Sequence, residues 1–362
     1  MPAEAPDMVT KTLLSGYISE GDRVTEFEKM LGEYLGNPNI ATVNSCTSAL
    51  TLSLILSGVG PGDEVITTPM SCIATNSPIV SLGAKIVWAD IDPTTGNIDP
   101  QDIKRKITPR TKAIVYVHWA GQPGDIDEIN QIAGLQGVKV IEDAAHAFGA
   151  EYKGRRIGCH SDFVCFSFQA IKHLTTGDGG LIAVNGDGAS EMLEKLIRIR
   201  WFGLNRKFNR SVTKWETDIT EVGYKMHMND IAASIGICQM KYADWIVKSH
   251  VGNALAYDNA LSGVPGLKLI RRSTDRLNAA WIYTVLLDDE NSRERFAAKM
   301  LERGIACNVV HVRNDRYSVF KEYAASLPGV DSFCSRMINI PCGWWMAPSD
   351  LEKVITAIKE VW

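Results

Sequence analysis

The chain has 362 residues, of which 45% are hydrophobic, so it is long enough for a large buried core and a smaller second domain. Its formal net charge of −4 is spread over interspersed acids and bases, which argues against nucleic-acid and membrane-surface partners. No apolar run reaches transmembrane length, and the N-terminus lacks a signal-peptide pattern, so we expect a cytoplasmic protein. The eight cysteines lack metal-ligand spacing, which predicts free thiols and no metal site.

Predicted strands and helices alternate through the first two thirds of the chain. A helix within 11–37 comes first, strands follow at 40–43, 63–68, 85–89, 113–117 and 138–141, and helices cover 49–56, 100–107 and 126–133. Such alternation predicts an α/β fold with a mainly parallel sheet covered by helices. From about residue 246 the pattern changes to a few strands and helices typical of a small α+β domain. We therefore predict a large domain over 1–245 and a small domain over 246–362.

A small polar turn joins the first strand to the helix at 49–56. It contains Thr47 and Ser48, at the point where the helix begins. Unpaired N–H groups and the helix dipole both point at such a turn, which makes it a candidate anion site. A simple Ser or Thr N-cap explains the same residues, and a cap and an anion site are compatible.

The strand at 138–141 leads directly into Asp143, with His146 three residues later. An acidic side chain at the carboxyl end of a parallel strand lies where open α/β sheets bind their ligands. An aspartate there can keep a pyridinium nitrogen protonated. The alternative interpretation is an aspartate that caps a helix.

Residues 163–183 read as two buried strands joined by a tight polar turn that carries Lys172. A lysine in this position can be desolvated, which lowers its pKa and frees a neutral amine to attack a carbonyl. The glycines that follow allow close approach of the backbone to a ligand. A solvated loop lysine beside a glycine turn is the alternative.

Several segments together resemble the DegT/DnrJ/StrS family of nucleotide-sugar aminotransferases. The segments, in chain order, are FEKMLGEYLG, NSCTSALTLSL, GDEVITTP, ADIDPTTGNIDP, VHWAGQPGDIDEI, EDAAHA, FSFQAIKHLTTGDGG, GYKMHMNDIAASIGICQM and IPCGWW. They cover nearly the whole chain in the family's order and spacing. The resemblance implies fold type I, the aspartate aminotransferase-like architecture, with pyridoxal 5′-phosphate as cofactor.

The resemblance also implies roles for individual residues. Lys172 would bind the cofactor aldehyde and act as general base, and Asp143 would hold the ring nitrogen protonated. The remaining cofactor-binding candidates are His146 near the ring, Thr47, Ser48 and Ser167 at the phosphate, and Lys225 at the phosphate of the neighbouring subunit.

Three positions depart from the family pattern. Cys46 stands where the family has glycine, and Lys225 stands where it has asparagine. Where many members have an aromatic residue that stacks on the cofactor ring, this chain has Cys72 and Ile73. The sequence therefore names no aromatic residue for the ring.

For the substrate, the resemblance points to Ser15 and the adjacent Gly16 near the mouth of the site. His311 and Arg313 fall where the small domain should face the cleft, and Arg313 could pair with a substrate carboxylate or phosphate. An exposed ion pair is the alternative for Arg313. The basic and aromatic segment 201–215 is a candidate rim for a nucleotide-sugar, with a solvated loop as the alternative.

The resulting hypothesis is transamination of a nucleotide-linked keto-sugar, by default a 4-keto-6-deoxyhexose, with glutamate as donor and a homodimer that shares its active sites. A deoxysugar dehydratase of the same family is one alternative. In that branch histidine replaces the lysine, and here His173 follows Lys172. A regulatory homologue that binds without catalysis is the other alternative.

Overall fold

The computed structural model describes residues 1–204 and 218–361. The strands are β1 Ile40–Val43, β2 Glu64–Thr67, β3 Lys85–Trp88, β4 Thr111–Val117, β5 Lys139–Asp143, β6 Glu151–Tyr152, β7 Arg155–Arg156, β8 Phe163–Ser167, β9 Gly180–Val184, β10 Leu267–Leu269, β11 Arg276–Leu277, β12 Tyr283–Leu287 and β13 Met337–Ile340. The helices are α1 Ala5–Ser15, α2 Asp22–Leu35, α3 Cys46–Leu56, α4 Ile73–Ser81, α5 Pro100–Lys106, α6 Ile126–Gly134, α7 Ala189–Ile199, α8 Asp230–Met240, α9 Ala243–Leu261, α10 Arg293–Glu302, α11 Pro328–Arg336 and α12 Pro348–Val361.

A seven-stranded sheet forms the centre of the molecule, in the order β1-β9-β8-β5-β4-β2-β3. Strand β9 runs antiparallel to both of its neighbours, and the other neighbouring pairs are parallel. This mixed, mostly parallel sheet confirms the predicted α/β class. Strands β8 and β9 are buried along their length, and β5 is buried except at Lys139, as expected for strands that helices cover on both faces.

Helices pack on both faces of this sheet and create two cores. Alternate residues of β8 point into opposite cores: Val164 and Phe166 into one, and Phe163 and Cys165 into the other. Helices α2, α6 and α8 cover the first face, and α3, α4 and α7 cover the second. The predicted amphipathic helix within 11–37 is confirmed as α2, which buries its apolar stripe in the first core.

The register of the sheet brings polar strand ends to one edge. Gly180 pairs with Val43 on one side and with Ser167 on the other. Asp143 ends β5 and lies opposite Cys165 of β8. Because parallel strands end at the same edge, the segments that follow β1, β5 and β8 meet there.

The C-terminal part forms a second, antiparallel sheet in the order β10-β12-β13. Helices α9, α10 and α12 pack on it around a separate core. This agrees with the α+β pattern expected from the sequence. The predicted boundary between 245 and 246 falls inside α9, and the division into two domains stays a prediction.

Helices α1, α4 and α11 and strand β13 were absent from the sequence prediction. Helix α4 was hidden because Pro78 lies within it and proline usually interrupts a helix. Its position matters, since it brings Thr75 to Asp143 at the end of β5.

Within residues 1–204 and 218–361, no helix combines the length and apolar character needed to cross a membrane. The same residues contain no cluster of three or more histidine, cysteine or acidic side chains arranged to hold a metal ion. All eight cysteines are free, as predicted.

Candidate active site

A closed turn between β8 and β9 carries Lys172. The Phe168 N–H donates to the Gly179 carbonyl at 2.9 Å, and the Thr176 N–H donates to the Phe168 carbonyl at 2.9 Å. The Lys172 N–H donates to the Gln169 carbonyl at 2.9 Å. These backbone bonds fix the direction in which the lysine leaves the turn.

The surroundings of Lys172 favour its neutral form. Burial lowers the pKa of its amine from 10.5 to about 8, and the nearby Asp143 carboxylate opposes part of this shift. A substantial fraction of the amine is therefore unprotonated at mildly alkaline pH. A lysine of this kind is able to attack a carbonyl carbon.

Asp143 is held at the end of β5 by two neutral donors. Thr75 Oγ1 donates to Asp143 Oδ2 at 2.6 Å, and the Ala145 N–H donates to Oδ1 at 3.1 Å. The Ser71 hydroxyl bonds in turn to Thr75 Oγ1. Burial outweighs these donors and raises the pKa of the Asp143 carboxyl. A cation beside the carboxylate would offset this cost.

Three rings line the space beside Lys172. His146 stacks on Trp281 with ring centroids 4.0 Å apart, and its Nε2 lies 3.3 Å from Nε2 of His311. Burial and the nearby lysine charge hold the pKa of His146 well below its usual value and lower the pKa of His311 to about 4. Both imidazoles are therefore neutral at neutral pH, so that one Nε2–H donates to the other Nε2. His146 Nδ1 is buried and has no hydrogen-bond partner among the described residues.

The polar turn after β1 forms the N-terminus of α3. Ser45 caps the helix by accepting from the Ser48 N–H at 3.1 Å, and the Ser48 hydroxyl donates to Asn44 Oδ1 at 2.6 Å. Thr47 is exposed on the first turn. The unpaired N–H groups of this turn and the helix dipole suit an anion.

Gly180 explains how this turn approaches the sheet. A Cβ atom at Gly180 would lie 2.6 Å from the carbonyl carbon of Ser45 and 2.7 Å from the nitrogen of Cys46. The glycine thus lets the helix N-terminus rest on β9, next to Ser167 on the adjacent strand. The anion site, Asp143 and Lys172 consequently belong to the same edge of the sheet.

Comparison with known proteins identifies the family to which this chain belongs. The model of the DegT/DnrJ/EryC1/StrS aminotransferase family matches residues 1–359. The chain belongs to this family. Aminotransferases of the family depend on pyridoxal 5′-phosphate, which is accordingly the cofactor of this enzyme.

Three similar proteins illustrate the relationship. The spore coat polysaccharide biosynthesis protein SpsC of Bacillus subtilis is 36% identical over 98% of this chain and 93% of its own length. AtS13 of Actinomadura melliaura has a TM-score of 0.94 and 41% identity, over 100% of this chain and 96% of that one. The sugar aminotransferase CalS13 of Micromonospora echinospora has a TM-score of 0.94 and 36% identity, over 100% and 98%.

The site of this aminotransferase fits the cofactor. The carboxylate of Asp143 is buried among neutral donors, as a pyridinium partner requires. The buried Nδ1 of His146 is left for a polar group of a ligand. A phosphate would be held at the α3 N-terminus, where Gly180 leaves no side chain between the turn and the sheet.

Three sequence candidates have contacts apart from this cluster. Lys225 is exposed, and its Nζ lies 3.7 Å from the ring centroid of Trp201. Ser15 is also exposed, and its hydroxyl donates to the Thr12 carbonyl at 2.7 Å. Arg313 bonds to Asp315 and Asp331. The structure of one chain thus does not bring Lys225 and Ser15 into contact with Lys172.

Arg313 is buried and paired with residues of the C-terminal part of the chain. Its guanidinium donates two hydrogen bonds to Asp315, at 2.8 and 2.6 Å, and a further one to Asp331. These two carboxylates already pair with the guanidinium, so we do not propose that Arg313 binds the substrate. The alternative of an ion pair applies: the side chains of Arg313 and Asp315 are buried, whereas that of Asp331 is exposed.

Residues 205–215 of the predicted rim lie outside the described residues. Within the described part of the chain, sequence reasoning missed Thr75 and Trp281. Trp281 lies 109 positions after Lys172 in the chain, and Thr75 lies 68 positions before Asp143. No local sequence pattern predicts that Trp281 contacts Lys172 or that Thr75 contacts Asp143, because each contact depends on how distant segments pack.

Proposed function

We propose that this enzyme transfers an amino group to a keto-sugar carried on a nucleotide, with glutamate as the amino donor. The relatives support a sugar substrate: CalS13 is a sugar aminotransferase, and SpsC serves polysaccharide biosynthesis. The default substrate is a 4-keto-6-deoxyhexose, as the family resemblance implies. The reaction replaces the ketone with an amine, while glutamate becomes 2-oxoglutarate.

Each residue of the cluster has a defined task. When bound, pyridoxal phosphate supplies an aldehyde that exchanges amines and a ring that accepts electrons. Lys172 would hold the cofactor at its aldehyde carbon, and its neutral amine would serve as the base that moves a proton at the reacting carbon. Asp143 would keep a proton on the ring nitrogen, and His146 would orient the ring. Thr47, Ser48 and Ser167 would bind the phosphate, and His311 would contact the sugar.

The observation that carries this proposal is the placement of Lys172 and not His173 beside Asp143. His173 Nε2 donates to the Ala279 carbonyl at 2.9 Å, and its ring packs 4.6 Å from that of His250. The adjacent histidine is therefore engaged in structure. This supports transamination over the dehydratase alternative, in which a histidine would occupy the lysine's place.

The complete set of Lys172, Asp143 and Ser167 also supports catalysis over a purely regulatory role. We further propose a cytoplasmic homodimer in which Lys225 contacts the cofactor phosphate of the neighbouring subunit. The exposure of Lys225 in one chain supports this proposal, because an exposed side chain can reach a second subunit.

A reduction experiment tests the role of Lys172. The protein loaded with pyridoxal phosphate is treated with borohydride and digested, and the peptides are measured by mass spectrometry. We expect the pyridoxyl group on the peptide that contains Lys172. Lys268→Ala removes an exposed lysine that pairs with Asp288 and serves as the control. A pyridoxyl group on another lysine, or on none, would contradict the assignment.

A further inference from the structure

The indole ring of Trp281 lies against the amine of Lys172. The Lys172 Nζ atom is 3.6 Å from the ring centroid, and Trp281 is only 7% exposed. The electron-rich face of tryptophan attracts a cation, and the attraction is strongest where water is excluded. The contact therefore favours the ammonium form of Lys172 in a site whose burial favours the neutral form.

The backbone before Trp281 is held in an unusual conformation. Ala280 has a φ of 51°, in the left-handed region that residues with a Cβ atom rarely adopt. Its N–H donates to Asn278 Oδ1 at 2.7 Å, and its carbonyl accepts from His250 Nδ1 at 2.9 Å. Strain that is fixed by several bonds often marks a functional position. Here it directs the indole towards the lysine.

Trp281 is also tied to the turn that carries the lysine. The indole Nε1–H donates to the Ile171 carbonyl at 2.8 Å, and His173 Nε2 donates to the Ala279 carbonyl at 2.9 Å. The residues on either side of Lys172 are thus bonded to the segment of Trp281. His146 also packs on the indole, with ring centroids 4.0 Å apart. The position of the indole relative to the lysine is thereby fixed.

We propose that Trp281 is a positioning residue that holds the free Lys172 ammonium by a cation–π contact, between its release from the cofactor and its return. This inference rests on the proposed function, because that function gives the released lysine a place in the cycle. The indole keeps the amine near the reacting carbon when no covalent bond does so. It also opposes full loss of the proton that the lysine must carry.

Other titratable groups also influence the protonation of the Lys172 amine, and the test has to keep them constant. Asp143, Cys46 and Cys72 favour the ammonium form, and the lysine charge in turn acts on His146, His173 and His311. All of them are retained in variants of Trp281. A change in the pKa of Lys172 in such a variant is therefore caused by loss of the indole ring or by the space that the ring had filled.

The pKa of Lys172 is measured in the full-length protein freed of cofactor. Trace acetic anhydride labels lysines between pH 6 and 10.5, and peptide mass spectrometry gives the labelling of Lys172 relative to the exposed Lys268. In Trp281→Leu we expect the Lys172 pKa to fall by about one unit, because the cation–π attraction is lost. Trp281→Phe keeps an aromatic face and is expected to show a smaller fall.

An unchanged or raised pKa in folded Trp281→Leu would overturn the proposal, since a smaller side chain that only admits water raises the pKa. If neither variant folds, tryptophan emission of the wild type is titrated beside Lys172→Met. An emission step near pH 8 that Lys172→Met lacks supports the contact, and its absence overturns it. These readouts need neither cofactor nor substrate, so they are separate from the borohydride test of the proposed function.

Discussion

The hydrogen bond from Thr75 to Asp143 is open to a sharp test. In Thr75→Val the side chain keeps its shape but loses the hydroxyl that donates to Asp143 Oδ2 at 2.6 Å. The hydroxyl of Ser71 loses the same partner. Thr75→Ser is the matched control, because it retains the donor and loses one methyl group.

The size of the expected effect follows from the negative charge of Asp143, which accepts this hydrogen bond. A hydrogen bond to a charged group contributes about 1.5–3 kcal/mol. Without it the pKa of Asp143, already raised by burial, rises further, and the proton shared with the ring nitrogen moves towards the carboxylate. The protonated ring is then disfavoured by roughly 10- to 150-fold. We expect the rate of the half-reaction with glutamate to fall by at least about tenfold.

Stopped-flow absorbance at saturating cofactor measures this rate, and thermal unfolding checks that the variants fold. Thr75→Ser is expected to stay close to the wild type. If Thr75→Val reacts as fast as Thr75→Ser while both are folded and loaded, Thr75 does not control the proton of Asp143, and the reasoning is refuted.

Three further predictions concern other parts of the site. In cofactor-free protein the rate of pyridoxal phosphate incorporation should rise with pH around a midpoint of about 8, because Lys172 loses its proton there, and a flat profile would be inconsistent with this. Gly180→Ala places a Cβ 2.6 Å from Ser45, so equilibrium titration should show roughly tenfold weaker cofactor binding, whereas Gly252→Ala, where nothing lies within 4 Å, should bind normally. Arg313→Lys should lower the thermal midpoint and leave the KM for glutamate unchanged, because the guanidinium is already paired; a raised KM would restore its substrate role.

The sequence predicts well those features that depend on local pattern. Apolar strands bounded by polar turns placed Asp143 and Lys172 at strand ends, and the structure has both at one edge of the sheet. The helical spacing of its apolar residues was sufficient to predict α2, because one face of that helix is buried. Motif order over the whole chain identified the family, and with it the cofactor.

Features that depend on packing between distant segments were beyond this reasoning. Pro78 concealed the helix that brings Thr75 to Asp143. Ala280 adopts the left-handed conformation that directs Trp281 towards the lysine. A glycine would have indicated such a conformation in the sequence, but this position is an alanine. Likewise, nothing in the local sequence shows that Asp331, on a separate helix, pairs with Arg313.

The central claim is amino transfer to a nucleotide-linked keto-sugar, and isotope transfer tests it most directly. The loaded protein is incubated with a nucleotide-linked 4-keto-6-deoxyhexose and ¹⁵N-glutamate, and the nucleotide-sugar is analysed by mass spectrometry. We predict a ¹⁵N-labelled amino sugar together with 2-oxoglutarate, neither of which forms with Lys172→Ala. A product that has lost a hydroxyl and carries no ¹⁵N, or a panel of keto-sugar nucleotides recovered unchanged, would contradict the account.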